Sequence, residues 1–298
     1  MATIKKFFAR HPMLPLLIPA ALLIYFVYVA LGWNLWVSVS DWEPGSLEAT
    51  YGFAGFKWYI EMFKDDTFWI SLKNTLLLFS IIPICLVVGL LLALLMDQGL
   101  KCTGLFRTLI LLPFALSYVV TGTVWAWMYN PSYGIINNVL GVFGVDPINW
   151  INAGSGYWAN MAVLTIYIVW NALPFKILIL LGGLQGINKQ YYDAAKVDST
   201  PRVRVFTKIT VPLLSPMLAY VVITGFIGGF KEYSSIVGIF GDDMQAVGGA
   251  SLNTMVGYIY DALGNREGRA SAAALILFAI IFVVTMINLY VSKKKTHY

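Results

Sequence analysis

The sequence predicts an all-α integral membrane protein with six transmembrane helices. Of its 298 residues 59% are hydrophobic and only 12% are charged, whereas soluble domains carry about a quarter charged residues. Mean hydropathy is +0.73. Stretches without Asp, Glu, Lys or Arg recur at the length of a bilayer crossing, ~20 residues for a ~30 Å hydrocarbon core. They fall at 14–38, 75–96, 108–129, 157–183, 212–232 and 270–292, the fourth interrupted by Lys176. Each is read as a helix because backbone in lipid must satisfy its own hydrogen bonds. The whole chain, 1–298, reads as a single transmembrane domain.

The first span follows Lys5, Lys6 and Arg10, as the apolar part of a signal peptide would. Its charge-free run, 12 to 40, is 29 residues long, longer than a secretory apolar region, so it is expected to remain as an uncleaved span. Orientation follows from the loops. Starting inside, one set of segments holds 13 basic residues (Lys5, Lys6, Arg10, Lys101, Arg107, Lys189, Lys196, Arg202, Arg204, Lys208 and Lys293 to Lys295) against 3 acidic ones (Asp97, Asp193, Asp198). The opposite segments hold 6 basic against 12 acidic. The excess of Lys and Arg places both termini and the 184–211 loop of this multi-pass chain in the cytoplasm. The net charge of +5 therefore carries no nucleic-acid reading.

Several chemistries are absent from the sequence. Cys85 and Cys102 supply neither a disulfide framework nor metal-ligand spacing. His11 and His297, the only histidines, sit at the termini and leave no imidazole for the spans. No phosphate-binding loop of the form G-x-x-x-x-G-K-[ST] occurs, so neither ATP nor another cofactor is expected on this chain. "GGASLN" at 248–253 lacks the partners of a serine protease loop, and the acidic residues of the outer loops do not converge on a carboxylate pair.

The loop 184–211 is too polar for lipid and too well punctuated for a slack linker. It reads as two short helices. In the first, Ile187, Tyr191, Ala194, Ala195 and Val197 give apolar contacts at mostly helical spacing, while Lys189, Asp193, Lys196 and Asp198 keep it out of the membrane. In "DSTP", Ser199 or Thr200 suits the cap of the next helix and Pro201 its first position. That second helix, "PRVRVFTKITV", runs into the fifth span, with Pro212 and Pro216 near the membrane entry. By physics alone the loop is either an amphipathic helix resting on lipid headgroups or a handle for another protein.

The run Asp193-Ala194-Ala195, three residues, Ser199, nine residues, then Ile209-Thr210-Val211-Pro212 resembles the EAA loop of ABC importer permeases, E-A-A-x3-G-x9-I-x-L-P. Asp193, Ser199 and Val211 depart from that pattern. At Ser199 two alternatives stay open: the turn is not left-handed, or capping by Ser199 offsets the strain that Gly would avoid. "FAGFKWYIEMFKDDTFWISLKNT" (53–75), "FRTLILLPFALSYVVTGTVWAWMYNPSYGIINNVLG" (106–141) and "ALPFKILILLGGLQGINKQYYDAAKVD" (172–198) are similar to the carbohydrate-uptake branch of that family, in its first-permease type, found in maltose, glycerol-phosphate and multiple-sugar importers. The resemblance implies a type I ABC importer permease architecture that transmits force without catalysing a reaction. It implies a homologous second permease, two ATP-binding subunits that hold ATP and Mg, an extracellular solute-binding protein and a sugar substrate, in contact with membrane lipid and not nucleic acid. It assigns ATPase coupling to the 187–200 helix through Tyr191, Tyr192, Asp193, Ala194, Ala195, Val197, Asp198 and Ser199, with Ala195 facing the ATPase groove.

Charged groups in spans are costly and mark function or an interfacial anchor. Lys176 lies about eight residues, or ~12 Å of helix, from the cytoplasmic end of its span, so it snorkels, pairs across helices or meets substrate. Lys231 and Glu232 sit at the outer end of the fifth span, ~28 Å along from Pro212. Matching to maltose-type relatives carries Thr224, Gly228 and Lys231 over as substrate-pathway candidates. Gly225, Gly228 and Gly229 also suit close helix packing. Trp125, Trp127, Tyr129, Trp170, Tyr220 and Tyr233 lie where an aromatic ring could stack on a sugar. Asn171, Glu232, Trp125 and Tyr233 complete the candidate set, a mixture of rings and hydrogen-bonding groups that suits a carbohydrate. If Lys176 and Lys231 face the pathway, an acidic sugar is favoured. The rival readings are an ion-coupled secondary transporter, against which stands the lack of acids secure within a span, and a non-transporting membrane scaffold.

Overall fold

The structure, a computed structural model, describes residues 14–42, 52–98, 103–151, 154–241, 245–246 and 250–295. Lys5, Lys6, Arg10, His11, Lys101, Cys102, His297 and part of 248–253 lie outside the described residues. The chain runs α1 Leu14–Ser38, α2 Lys57–Phe63, α3 Asp66–Leu77, a 3-10 turn Leu78–Ser80, α4 Ile81–Asp97, α5 Thr103–Ala115, α6 Tyr118–Met128, α7 Ile135–Val142 and α8 Tyr157–Gln185. It continues with α9 Lys189–Val197, α10 Arg202–Val205, a π-turn Phe206–Thr210, α11 Val211–Phe230, α12 Ser234–Phe240, α13 Met255–Ala262 and α14 Glu267–Lys295. The only strands among the described residues are β1 Gln245–Ala246 and β2 Ala250–Ser251, an antiparallel ribbon. The all-α expectation holds.

Among the described residues five helices are long and apolar enough to cross a membrane, and the pair α5 and α6 makes a sixth span only as a broken one, bent by 101°. The uninterrupted span expected over 108–129 is thus corrected. Pro113 has no N–H to return to the preceding turn, and Ser117 takes an extended conformation, φ −66° and ψ 135°. The second span is longer than expected, Asp66–Asp97, with the 3-10 turn inside it. The fifth ends at Phe230, which leaves Lys231 and Glu232 just beyond the helix.

Packing divides the chain into two compact units, residues 1–65 with 259–276 and residues 66–258 with 277–298. In the first, Val39 and Ala54 pair by backbone, as do Asp41 and Gly52, and the Trp58 indole donates to the Ser40 carbonyl at 2.8 Å. Gly268 lies against the Trp58 ring with no room for a Cβ. Arg269 and Asp65 form an ion pair. Most of α1 is exposed, as befits a helix surrounded by lipid.

In the second unit α8 is the central post. Its Leu164, Tyr167 and Ile168 join Leu78, Cys85 and Ile236 in one core, and its Ile177, Leu180 and Leu184 join Ala93 and Leu214 in another. Where α6 crosses α12, Gly122 and Gly238 bring the two backbones into contact: a Cβ on Gly122 would lie 2.6 Å from the Gly238 carbonyl carbon. Small residues at membrane-helix crossings allow this approach.

Candidate functional site: a polar cavity and the loop beneath it

The break between α5 and α6, the middle of α8 and the C-terminal half of α11 surround a cavity of about 350 Å³. It gathers Asn171, Lys176, Thr224, Gly228, Lys231 and Glu232, six of the residues singled out in the sequence. Trp125 and Tyr233 are not in its wall. Trp125 packs with its centroid 5.5 Å from Tyr167 and 5.3 Å from Trp170, and Tyr233 lies against the same core. The bend before α6 turns its rings toward α8, which the reading of a straight span did not anticipate.

The aromatic surface of the cavity comes instead from Phe114, Tyr118 and Phe175. Phe114 and Phe175 are stacked, 5.9 Å apart with 17° between planes. The signal for Phe114 and Tyr118 was Pro113, which sets a break beside them. The Tyr118 carbonyl accepts from the Tyr167 hydroxyl at 2.6 Å, and that hydroxyl is 2.7 Å from Thr121 Oγ1. This buried network holds the broken span to α8.

The polar groups of the cavity are incompletely matched. Asn171 is 2% exposed, and its Nδ2 makes no hydrogen bond of good geometry among the described residues, the Tyr167 side chain one turn back being its polar neighbour, although a buried donor normally finds a full partner. Neither Lys176 nor Lys231 has an ion-pair partner among the described residues, so the interhelical pair considered for Lys176 is not formed. The Lys176 stem crosses Gly89, with its Cβ 3.8 Å from where a glycine Cβ would stand. The Thr224 hydroxyl is tied back to the Tyr220 carbonyl at 2.8 Å. Glu232 Oε1 accepts from the Ser235 N–H at 3.2 Å, at the start of α12, where the helix dipole favours a carboxylate. Its carbonyl accepts from the Thr254 hydroxyl at 2.7 Å.

Past the C-terminal end of α8, α9 forms a self-contained knob. Asn188 Oδ1 caps it by accepting from the Gln190 N–H at 3.0 Å, and Lys196 pairs with Asp193 at 3.1 Å. Its end is a Schellman turn: Ser199 N–H bonds Lys196 O at 3.0 Å and Thr200 N–H bonds Ala195 O at 2.9 Å. Ser199 has φ 51°, the one positive value at a non-glycine among the described residues. The turn is therefore left-handed, which closes the first alternative left open above. The expected caps of the next helix are corrected: Pro201 itself is the N-cap residue, its ring offers no acceptor, and no side chain caps α10.

Tyr191, Asp193, Ala194, Val197, Asp198 and Ser199 are exposed and Tyr192 is half-buried. Ala195 is only 6% exposed. Its methyl is covered by this chain, which corrects the expectation that it faces a partner's groove. The most exposed large apolar side chain of α9 is Val197, at 85%.

Broken and continuous spans around a cavity that sets a few polar groups in an apolar wall, with a capped knob at one end, are the architecture of a multi-spanning membrane protein. Residues 85–297 match the family model described as binding-protein-dependent transport system inner membrane component, and the chain belongs to that family. A Pyrococcus horikoshii protein described as "Probable ABC transporter permease protein" is 38% identical over 227 residues, 73% of this chain and 76% of that one. The trehalose/maltose transport system permease protein MalF of Thermococcus litoralis is 31% identical, covering 94% of this chain and 92% of its own. The fold matches a chain of a bacterial alginate ABC transporter, solved with its alginate pentasaccharide-bound periplasmic protein, with a TM-score of 0.81 at 21% identity over 100% of this chain and 99% of that one.

Proposed function

We propose that the chain is one of two membrane subunits of an ATP-driven, binding-protein-dependent sugar importer, forming half of a pathway for an oligosaccharide. The observation that carries this is the cavity in which Asn171 offers a buried, unmatched donor beside Lys176, Thr224 and Lys231. A sugar presents hydroxyls to such groups and C–H faces to Phe114, Tyr118 and Phe175. The trehalose/maltose permease among the relatives supports a carbohydrate, delivered by an external binding protein. Both termini and α9 face the cytoplasm, and α9 docks on a separate ATPase that holds ATP and Mg. ATP-driven closure rocks the spans between outward-open and inward-open states.

The cavity carries two lysines and one glutamate, and neither lysine has an ion-pair partner among the described residues. This supports an acidic oligosaccharide, as does the alginate transporter that shares the fold. Replacing Lys176 and Lys231 together by Met should abolish uptake of an acidic oligosaccharide by proteoliposomes and spare a neutral one. Equal loss of both would sink the acidic reading. For ATPase docking, Val197→Asp is the cleaner probe than any change at Ala195, because Val197 contributes little to its own fold. It should strip the ATPase from detergent-solubilised complexes while the two permeases stay together. Unchanged ATPase retention would remove α9 as the handle.

A further inference from the structure

We infer that the Tyr192 hydroxyl is a positioning group that latches the cytoplasmic knob α9 to the root of α11, so that displacement of the knob reaches the cavity wall. The inference rests on the reading of α9 as the ATPase handle.

Tyr192 Oη lies 3.2 Å from Thr210 Oγ1 in a partly buried setting, and Thr210 is 5% exposed. Among the described residues this is the only side-chain hydrogen bond joining α9 to another element; Asn188, Gln190, Asp193 and Lys196 bond within the knob and its cap. The partner is unusual in its own helix. Thr75, Thr108, Thr121, Thr207 and Thr224 each return their hydroxyl to a carbonyl one turn earlier, the ordinary habit of helical threonine. Thr210 shows no such bond among the described residues; its hydroxyl is paired with that of Tyr192, either one donating.

The backbone at that point is also out of regular register. Phe206–Thr210 is a π-turn, closed by the Val211 N–H on the Phe206 carbonyl. Such single turns are rare and gather at functional sites. A widened turn places the latch where helix geometry is most readily changed. From Thr210 the helix rises ~21 Å to Thr224 at 1.5 Å per residue, and beyond Thr224 it carries Gly228 and Lys231 of the cavity wall. The chain ties α9 to α8 through Gly186 and, through Thr200 and Pro201, to the continuous helix Arg202–Phe230 that contains α11. The hydroxyl pair braces that second link across the turn, so that knob displacement is passed on to both cavity walls rather than absorbed at the turn.

The test uses the assembled importer, with its second permease and ATPase subunits, in proteoliposomes supplied with binding protein and sugar. Wild type, Tyr192→Phe, Thr210→Val, Thr210→Ser and the Tyr192→Phe/Thr210→Val double variant are compared for ATPase retention, ATP hydrolysis and sugar moved per ATP. Loss of the latch should leave retention and hydrolysis in place and lower sugar per ATP about fivefold, the factor that one hydrogen bond of ordinary net strength contributes. Thr210→Ser should restore the ratio, and the double variant should be no worse than either single one, because they remove the same bond. An unchanged ratio in Tyr192→Phe and Thr210→Val overturns the latch. Loss of the ATPase from either variant also overturns it, by making the residue a docking or folding group. Failure of the wild type to retain the ATPase removes the handle reading itself, a result separate from both.

Discussion

The cavity and the knob beneath it treat polar groups in opposite ways. In α9 the polar groups have local roles: Asn188 caps, Asp193 pairs, and the last turn closes on Ala195 and Lys196 carbonyls. In the cavity, among the described residues, Asn171 Nδ2 makes no hydrogen bond of good geometry and the ammonium groups of Lys176 and Lys231 have no ion-pair partner. An unmatched buried donor costs about 1–3 kcal/mol, so the cavity holds its chemistry at the expense of stability while the knob is preorganised. The contrast separates a surface built to meet a polar, changing occupant from one built to keep a single shape.

The strongest way to break the contrast is to disturb the frame that keeps the cavity open. Gly122→Val should abolish uptake and lower the melting temperature of the purified complex, because the new side chain meets the Gly238 backbone. Overpacking of this kind costs about 1–3 kcal/mol or more when backbone must move. Wild-type uptake by this variant would mean that the crossing of α6 and α12 is not part of the working frame.

Next in size is Asn171→Leu. It should cut sugar uptake by about tenfold, the worth of a well-made hydrogen bond to a ligand, with thermal stability equal to or above wild type since an unmatched amide is removed. A parallel fall in stability and uptake would show that the amide has a structural partner and that the two regions are alike.

Smaller effects are expected in the knob. Asn188→Ala should destabilise α9 by about 1 kcal/mol, the usual loss of an N-cap, read as faster amide exchange over 189–197. Ser199→Gly should have the opposite sign. A non-glycine residue in the left-handed region is strained by about 1 kcal/mol, so glycine should slow exchange at the end of α9 while leaving sugar per ATP unchanged. Faster exchange would mean that Ser199 contributes a contact outweighing its strain.

These predictions follow lines of different legibility in the sequence. The spans were readable because charge-free length is a local property, and α1, α4, α8, α11 and α14 lie where it placed them. The break in the third span is not visible to composition, which counts apolar residues: Leu116 and Ser117 are as uncharged as their neighbours, and Pro113 is the local signal. Asn171, Thr224 and Lys231 could be named from chemistry and resemblance, but their shared cavity with Lys176 depends on how α8 and α11 rotate about their axes. Trp125 was chosen for its ring and its depth, and packing against α8 gave that ring to the core. At Ser199 the departure from glycine was visible and the positive φ was not, since Ser is compatible with either turn until the bonds to Lys196 and Ala195 are seen.

By itself the sequence determined that the chain is helical and membrane-embedded, where its main spans lie, and that a basic, turn-punctuated loop precedes the fifth of them. The physical reason is that the bilayer tests every residue of a span in the same way, so composition over about 20 residues is enough. Only the tertiary structure decided which rings line the cavity, that Ala195 is covered and Val197 presented, and that Tyr192 meets Thr210. Those outcomes depend on helix rotation, on a break of 101° and on a π-turn, each set by contacts between residues far apart in the chain.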